Sequence, residues 1–536
     1  MERERASWSN LGLSKNPRSS RKRRSRVKKP TPSVRASHLN TGTGIPEEEL
    51  AWPETSSRVT RLPRLHVEVA ERSTVTPYGG LSLAAAFLKR FRVAQEIDER
   101  VPVLKLHLPF HESDHVLAQA LNLYVGGECL EDQAALQHDE GVLRMLGACR
   151  LPDPTTAGDF LRRFDERRNP GALSGLRAAT DAVQDAVWGK LAGKRKKKRD
   201  LAVVDLDGHT KELYGVQKEG ADFDHKGRWS YNVLLASLAG TGECLAVRNR
   251  PGNLRSSNGA AELLEETLPR VKRRFADVLV RADSDFDRRD VREACEAEGV
   301  CFAFVAREAT NRLAWAEGIP ESAWRSFRTR DHRQRETRRR SSGLQPRRKK
   351  RNRRRQRARE RGYTNLQLTR QWLAEIPWTP AGSDKTYRMI LRRQLIEESE
   401  GQESLFEFYR YRYVVTNLPS SWSAEEVIDT TYQRCDQENV IEQMGSGVAL
   451  WRMPVAEFDG NSAWLEIGRL AWNLGKWIAQ LVLPCEVVRW EWKRYRRAFV
   501  HVAAEVVHRS RQRWLRFSPA HRFLPTLVAA HAQLQT

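Results

Sequence analysis

A mixed α/β fold set between two helical regions is predicted from three features of this chain. After residue 200, short apolar runs such as Leu201–Val204 and Val278–Ala282 have the length and branched side chains of buried strands. Between such runs, Gly259 to Phe275 and Arg288 to Glu298 are periodic in the helical sense, the pattern that packs helices onto a sheet. From about residue 61 to 190 and again after residue 424, apolar spacing is mostly helical. At ~100–200 residues per domain the chain should hold about three or four folded units. Its 40% hydrophobic content is enough to give them cores.

Taken in order, residues 1–60 are rich in Ser, Arg, Lys and Pro and carry the run Arg21 to Lys29, which reads as a disordered basic arm. Residues 61–190 read as a helical, DNA-binding region. Leu83 to Ile97 and Val116 to Leu123 have helical spacing, and Thr155 to Asp159 offers a helix start before Phe160 to Phe164. Arg162 and Arg163, with Arg167 and Arg168, form either a phosphate-binding face or an ordinary polar one.

The basic hinge Lys194 to Arg199 leads into the first part of the α/β core, residues 200–306. Strands are expected at Leu201–Val204, Glu212–Val216, Asn232–Leu238, Cys244–Arg248, Val278–Ala282 and Val300–Val305. Residues 307–420 contain a basic tract from Trp324 to Arg361, densest around Arg347, Arg348, Arg353 and Arg354. Such a block repels itself and should be disordered, or helical only against a polyanion. Strands resume at Lys385–Arg392 and Leu405–Thr416. Residues 421–536 read as helical from Ala424 onward, interrupted at Pro484. The stretch Ala463 to Pro484 includes Glu466, Arg469 and Lys476, so it suits a buried helix rather than a membrane span. Trp464, Trp472 and Trp477 are assigned to core packing rather than base stacking.

Ninety-two Lys and Arg against 68 Asp and Glu leave a net charge of +24, with a pI near 10.0. This points to nucleic acid, since neutralising phosphates drives sequence-independent affinity. Seven scattered cysteines form no CxxC pair, so no zinc site is expected and a reducing compartment is. The charged N-terminus does not resemble a secretory signal. A cytoplasmic, nucleoid-associated protein without a membrane partner is expected.

Three carboxylates carry the chemistry. Asp207 and Asp283 each close an apolar run, and Glu438 lies in the polar helical stretch Thr431 to Asn439. Two carboxylates at strand ends and one on a helix can converge on Mg²⁺, a hard cation that prefers oxygen ligands. Two such ions about 3.5–4 Å apart clamp the attacking and leaving oxygens of an in-line phosphoryl displacement. Asp205 competes with Asp207 from the same strand face. Asp285 competes with Asp283, and Asp436 and Glu442 with Glu438.

The wording around these acids resembles the bacterial insertion-sequence DDE transposases of the DDE-domain group 1 type. The resemblance runs from about Pro77 to the Trp472 segment. It is carried by Tyr78-Gly79-Gly80, Gly126 to Asp132, Leu151 to Thr156, Asp205-Leu206-Asp207 and Tyr214-Gly215. It continues in Arg250-Pro251-Gly252-Asn253, Arg281 to Phe286, Asn311-Arg312-Leu313 and Tyr432-Gln433-Arg434 with Glu438-Asn439.

The resemblance implies an RNase H-like catalytic core with a β-rich insertion between the second aspartate and the glutamate. It implies Asp207, Asp283 and Glu438 as catalytic metal ligands for Mg²⁺, with Mn²⁺ able to substitute. Tyr432 and Arg434 would be DNA contacts, Arg434 holding a phosphate near the scissile bond through its planar fork. The expected reaction is cleavage at transposon ends by a metal-activated water, then attack of the freed 3′-hydroxyl on target DNA. The implied partners are the terminal inverted repeats, target DNA and a second copy in a synaptic dimer. A nuclease that cuts without joining, or a decayed or domesticated DNA-binding derivative, is the alternative. Several positions depart from the family pattern. Gly445 stands where a lysine often follows the glutamate, His209 where threonine is usual, and Asp285 where glycine is usual. The tyrosine-to-arginine spacing is one residue short.

Overall fold

The computed structural model describes residues 73–194, 199–328, 368–399 and 402–535. The basic arm and Arg347, Arg348, Arg353 and Arg354 lie outside the described residues. A short strand β1 (Val75–Thr76) precedes seven helices: α1 (Leu81–Arg90), α2 (Val93–Asp98), α3 (Glu112–Val125), α4 (Gln133–Gln137), α5 (Glu140–Leu146), α6 (Pro154–Leu161) and α7 (Ala172–Lys194). The sequence spacing treats Leu83–Ile97 as one helix. The structure breaks it at Arg92, whose φ of 50° is left-handed and ends the helical hydrogen-bond run. Helix α6 starts at Pro154, just before the expected Thr155. Asp153 caps it, its Oδ1 accepting from Thr156 N at 3.0 Å, and proline at the first helical position needs no donor.

The sheet is built from β2 (Arg199–Glu212), β3 (Asp222–Phe223), β4 (Trp229–Leu238), β5 (Glu243–Arg248), β6 (Phe275–Ala282) and β7 (Cys301–Ala306). Helices α8 (Ala260–Arg274) and α9 (Arg289–Ala297) make the crossovers. Strand β2 is central. It pairs antiparallel with β4, with Asp207 opposite Leu235, and parallel with β6, with Asp205 opposite Arg281. Two corrections follow. The strand does not stop at Val204, and Asp207 is not at its end: β2 runs on to Glu212 along β4, while its parallel pairing to β6 finishes at Asp205. The separate strand expected at Glu212–Val216 is absent, because the chain leaves the sheet there and turns at Gly215 with φ 85°.

Side chains alternate across the sheet. Ala202, Val204 and Leu206 enter one core with Val280, Phe302 and the apolar stripe of α8. Val203 and Leu279 face the other core with Ala303, Val427 and Ile428. The second face is therefore the one to which Asp205 and Asp207 belong.

After α10 (Thr310–Glu317) and β8 (Arg325–Ser326) come three long strands, β9 (Leu368–Trp378), β10 (Tyr387–Ser399) and β11 (Gln402–Thr416). Strand β11 pairs antiparallel with β7, Tyr413 opposite Ala306, so these strands widen the same sheet to ten strands. Then follow α11 (Ala424–Tyr432), α12 (Cys435–Val448), α13 (Phe458–Val482) and α14 (Trp492–Phe499). Helix α13 is the buried helix expected between Ala463 and Pro484, and Trp464, Trp472 and Trp477 on it are fully buried. At roughly 200 Å² per ring and ~25 cal/mol/Å², each contributes up to about 5 kcal/mol of transfer free energy. Among the described residues no helix is long and apolar enough to cross a membrane.

The C-terminal region is not all helical. A hairpin, β12 (Ala504–Arg509) and β13 (Gln512–Phe517), precedes α15 (Leu524–Gln535), and β12 also pairs with β1.

Candidate active site

Asp207 and Asp283 lie on either side of Arg434, and Glu438 is near enough for its charge to act on Asp207. Asp207 projects from β2 beyond the level where β6 stops pairing, and Asp283 is the first residue after β6. Glu438 lies in the first turn of α12, whose N-cap is Arg434. Arg434 is four residues before Glu438, hence on the same helical side. Its guanidinium lies between the two aspartates, with Nη1 3.4 Å from Asp207 Oδ2 and Nη2 3.8 Å from Asp283 Oδ2. Nη1 also donates to the Leu206 carbonyl at 3.4 Å, anchoring the fork to the strand. Glu442, the acid one turn further along α12, accepts from Ser446 Oγ at 3.3 Å.

The aspartates differ in environment. Asp207 is largely buried and its carboxyl is pushed up to about 6, first by burial and then by the negative charges of Asp283 and Glu438, with Arg434 pulling the other way. Its Oδ1 accepts from Gly208 N at 2.9 Å. Asp283 is more open, and its Oδ1 accepts from Asp285 N at 2.9 Å, an Asx turn that fixes the carboxylate just past the strand. Glu438 is exposed.

The competing aspartates have other partners. Asp205 is buried and held by Arg281, with Nε 2.6 Å from Oδ1 and Nη2 2.7 Å from Oδ2. Asp285 pairs with Arg307. Arg281, which sequence reasoning passed over, also donates from Nη1 to the Thr430 carbonyl at 2.5 Å, tying β6 to α11 just before the Arg434 turn. Arg250 was likewise read only as a motif. It is buried and donates to the carbonyls of Asn232, Arg255, Ser256 and Asn258, shaping the loop that passes Gly208.

The remaining expected contacts are dispersed. Tyr432 packs under the Arg392 guanidinium, 5.0 Å from the ring centre, and burial raises its phenol. Arg162 pairs with Asp159 at 2.9 Å and with Glu457 at 3.6 Å, while Arg163 is exposed beside Phe160.

Two positions that depart from the family pattern, Gly445 and His209, both lie against Trp451. A Cβ on Gly445 would sit 2.4 Å from Trp451 Cδ1, and the His209 ring lies 4.4 Å from that same indole. Trp451 fills the space that a side chain at 445 would need. His209 is half-buried there, and its desolvation lowers the imidazole to about 4.

The family described as transposase DDE domain group 1 matches residues 66–536. The chain belongs to this DDE transposase family. Among solved structures it is similar to the piggyBac transposase in a synaptic complex with hairpin DNA, at 11% identity and a TM-score of 0.27, over 79% of this chain and 84% of that one. No curated protein matches it.

In this DDE-family chain the acidic donor set suits a hard divalent cation. Two carboxylates face one guanidinium, that of Arg434, and the negative charges of Asp283 and Glu438 act on Asp207. A separate group, Asp98, His111 and Glu112, brings its ligand atoms within 4.8 Å of one another. Its hydrogen bonds explain it without a metal. Asp98 accepts from Ser113 N and Oγ, and Glu112 accepts from Leu104 N, so the group ties α2 and the following loop to the start of α3.

Proposed function

We propose that the chain is a working DDE transposase, cutting DNA at the ends of an insertion sequence and joining those ends to target DNA. The catalytic groups are Asp207, Asp283 and Glu438. The observation that carries this reading is the placement of Asp207 and Asp283 on either side of Arg434, with Glu438 close enough for its charge to raise the Asp207 carboxyl.

Strands β2, β4, β5, β6 and β7 support an RNase H-like core: three antiparallel strands continued by two parallel ones, with the acids where β2 and β6 part. Asp207, Asp283 and Glu438 would hold Mg²⁺, or Mn²⁺ in its place. The bound metal supplies an activated water and neutralises charge developing on the phosphodiester oxygens. The chain's own groups orient the reaction. The Asx turn at Asp283 and the Gly208 amide at Asp207 fix the carboxylates before substrate arrives. The Arg434 fork can exchange its carboxylate contacts for a phosphate oxygen of the scissile strand. No covalent protein–DNA link is required. Residues 61–190 would read the terminal inverted repeats, residues 307–420 with their basic tract would hold flanking or target DNA through phosphates, and two copies would join in the synaptic complex.

The test is joining. The full chain is incubated with Mg²⁺, DNA bearing the element's flanking ends and a supercoiled target. End-joined products are expected. Cut ends that are never joined would make the chain a nuclease, and tight binding without cutting would make it a DNA-binding derivative.

A further inference from the structure

A pocket of about 350 Å³ opens between α12, the β4–β5 turn and the segment after α13. It shares the catalytic helix with Glu438 but lies on another side of it, lined by Gln437, Asn439 and Gln443. Asp205 is on its wall, two residues along β2 from Asp207, or about 7 Å at ~3.3 Å per residue. Asp205 is already held by Arg281 and offers the pocket no uncompensated charge.

The groups that remain are donors. Gln437 is 1% exposed, its Oε1 accepts from Ser237 Oγ, and among the described residues its Nε2 has no hydrogen-bond partner. Lys476, on α13, is 8% exposed. Its Nζ donates to the Val488 carbonyl at 3.0 Å and lies 4.6 Å from the Trp472 ring centre. Among the described residues no carboxylate lies within ion-pair distance of it; Glu243, the nearest influence, is taken up by Gln184, Trp188, Trp477 and Gln480. Burial lowers the ammonium to about 8, so it still carries charge near neutral pH. Arg489 adds a second cation at the mouth. A buried amide donor without an acceptor and a buried ammonium without a counter-ion, on one cavity, call for an anion.

We propose that Lys476 and Gln437 form an anion subsite that takes a phosphate group of the DNA strand, next to the catalytic carboxylates. This rests on the transposase reading for the identity of the strand, but its geometry is separate from the acids. A DNA phosphate and a free phosphate share the chemistry, and the test distinguishes them.

The wild-type full chain is acetylated with a limiting amine-reactive ester near pH 8, and modification of Lys476 is read by mass spectrometry. Three conditions are compared: no additive, DNA bearing the flanking ends, and inorganic phosphate at equal phosphate concentration. Selective protection of Lys476 by DNA is expected. In parallel, Lys476→Met should flatten the salt dependence of DNA binding by about one phosphate contact, a change of ~0.9 in slope. Gln437→Leu should weaken binding severalfold with the slope unchanged. Protection by inorganic phosphate but not by DNA would overturn the DNA source. Protection by neither, or an unaltered slope in a folded Lys476→Met protein, would overturn the subsite itself. These readouts need no cleavage, so a failure of catalysis leaves them independent.

Discussion

Arg281 holds Asp205 through both arms of its guanidinium, at 2.6 and 2.7 Å, with both side chains almost wholly buried. Two positions further along β2, Asp207 instead faces the guanidinium of Arg434 at 3.4 Å. The two aspartates share a strand face, yet one is fixed to a neighbouring strand and the other looks toward a helix terminus.

This difference predicts opposite phenotypes. Asp205→Asn leaves the Arg281 charge buried and uncompensated and should destabilise the fold by about 3–5 kcal/mol. Asp207→Asn should fold normally and fail to cut DNA. Urea unfolding of both variants, alongside a cleavage assay, checks the assignment. A stable Asp205→Asn protein without activity, beside an active Asp207→Asn protein, would reverse the roles.

Gly445 should be intolerant of any side chain, because its place against Trp451 leaves no room for a Cβ. Gly445→Ala is expected to cost about 1–3 kcal/mol through overpacking. Combined with Trp451→Ala, the loss should be well short of additive, since the clash disappears. Thermal unfolding of the single and double variants measures the coupling; full additivity would mean that the indole does not exclude a side chain here.

Asp181 joins α7 to α8 and α13 by pairing with Arg270 and Arg469. Burial alone pushes its carboxyl up, but the charges of Arg469 and Arg270 outweigh burial and hold it below the ordinary value of 3.8. A depressed carboxylate stabilises the fold above the unfolded-state value, and that contribution is lost as pH falls through the folded-state value below it. Asp181→Asn should therefore lower the melting temperature at pH 7 and lose less on acidification toward pH 3 than the wild type does. Parallel curves for the two proteins would count against this linkage.

Much of this was readable in the residues. The buried tryptophan helix and the strands at Asn232–Leu238, Cys244–Arg248 and Val278–Ala282 depend on local pattern and appear where it placed them, and Asp283 follows its strand as expected, whereas Asp207 lies inside β2. What escaped depended on tertiary partners. The Ala504–Phe517 hairpin turns through Ser510 and Arg511, both at positive φ (47° and 63°), without the Asn-Gly that usually announces such a turn. Strand β9 contains Pro377 and follows the basic tract, so it lacked strand signals. The distinction between Asp205 and Asp207 required knowing that Arg281 aligns with one of them in the parallel register. The missing lysine at 445 likewise makes physical sense only once Trp451 is seen against that helix.

The proposed transposase reading makes Asp207, Asp283 and Glu438 a metal-dependent cutting site. Its most direct test compares wild type with Asp283→Asn for Mg²⁺-dependent cleavage of DNA carrying the element's own flanking ends, with DNA affinity measured on the same samples. Cleavage by wild type, none by Asp283→Asn, and nearly equal affinity are expected. Undiminished cleavage by Asp283→Asn would contradict that reading.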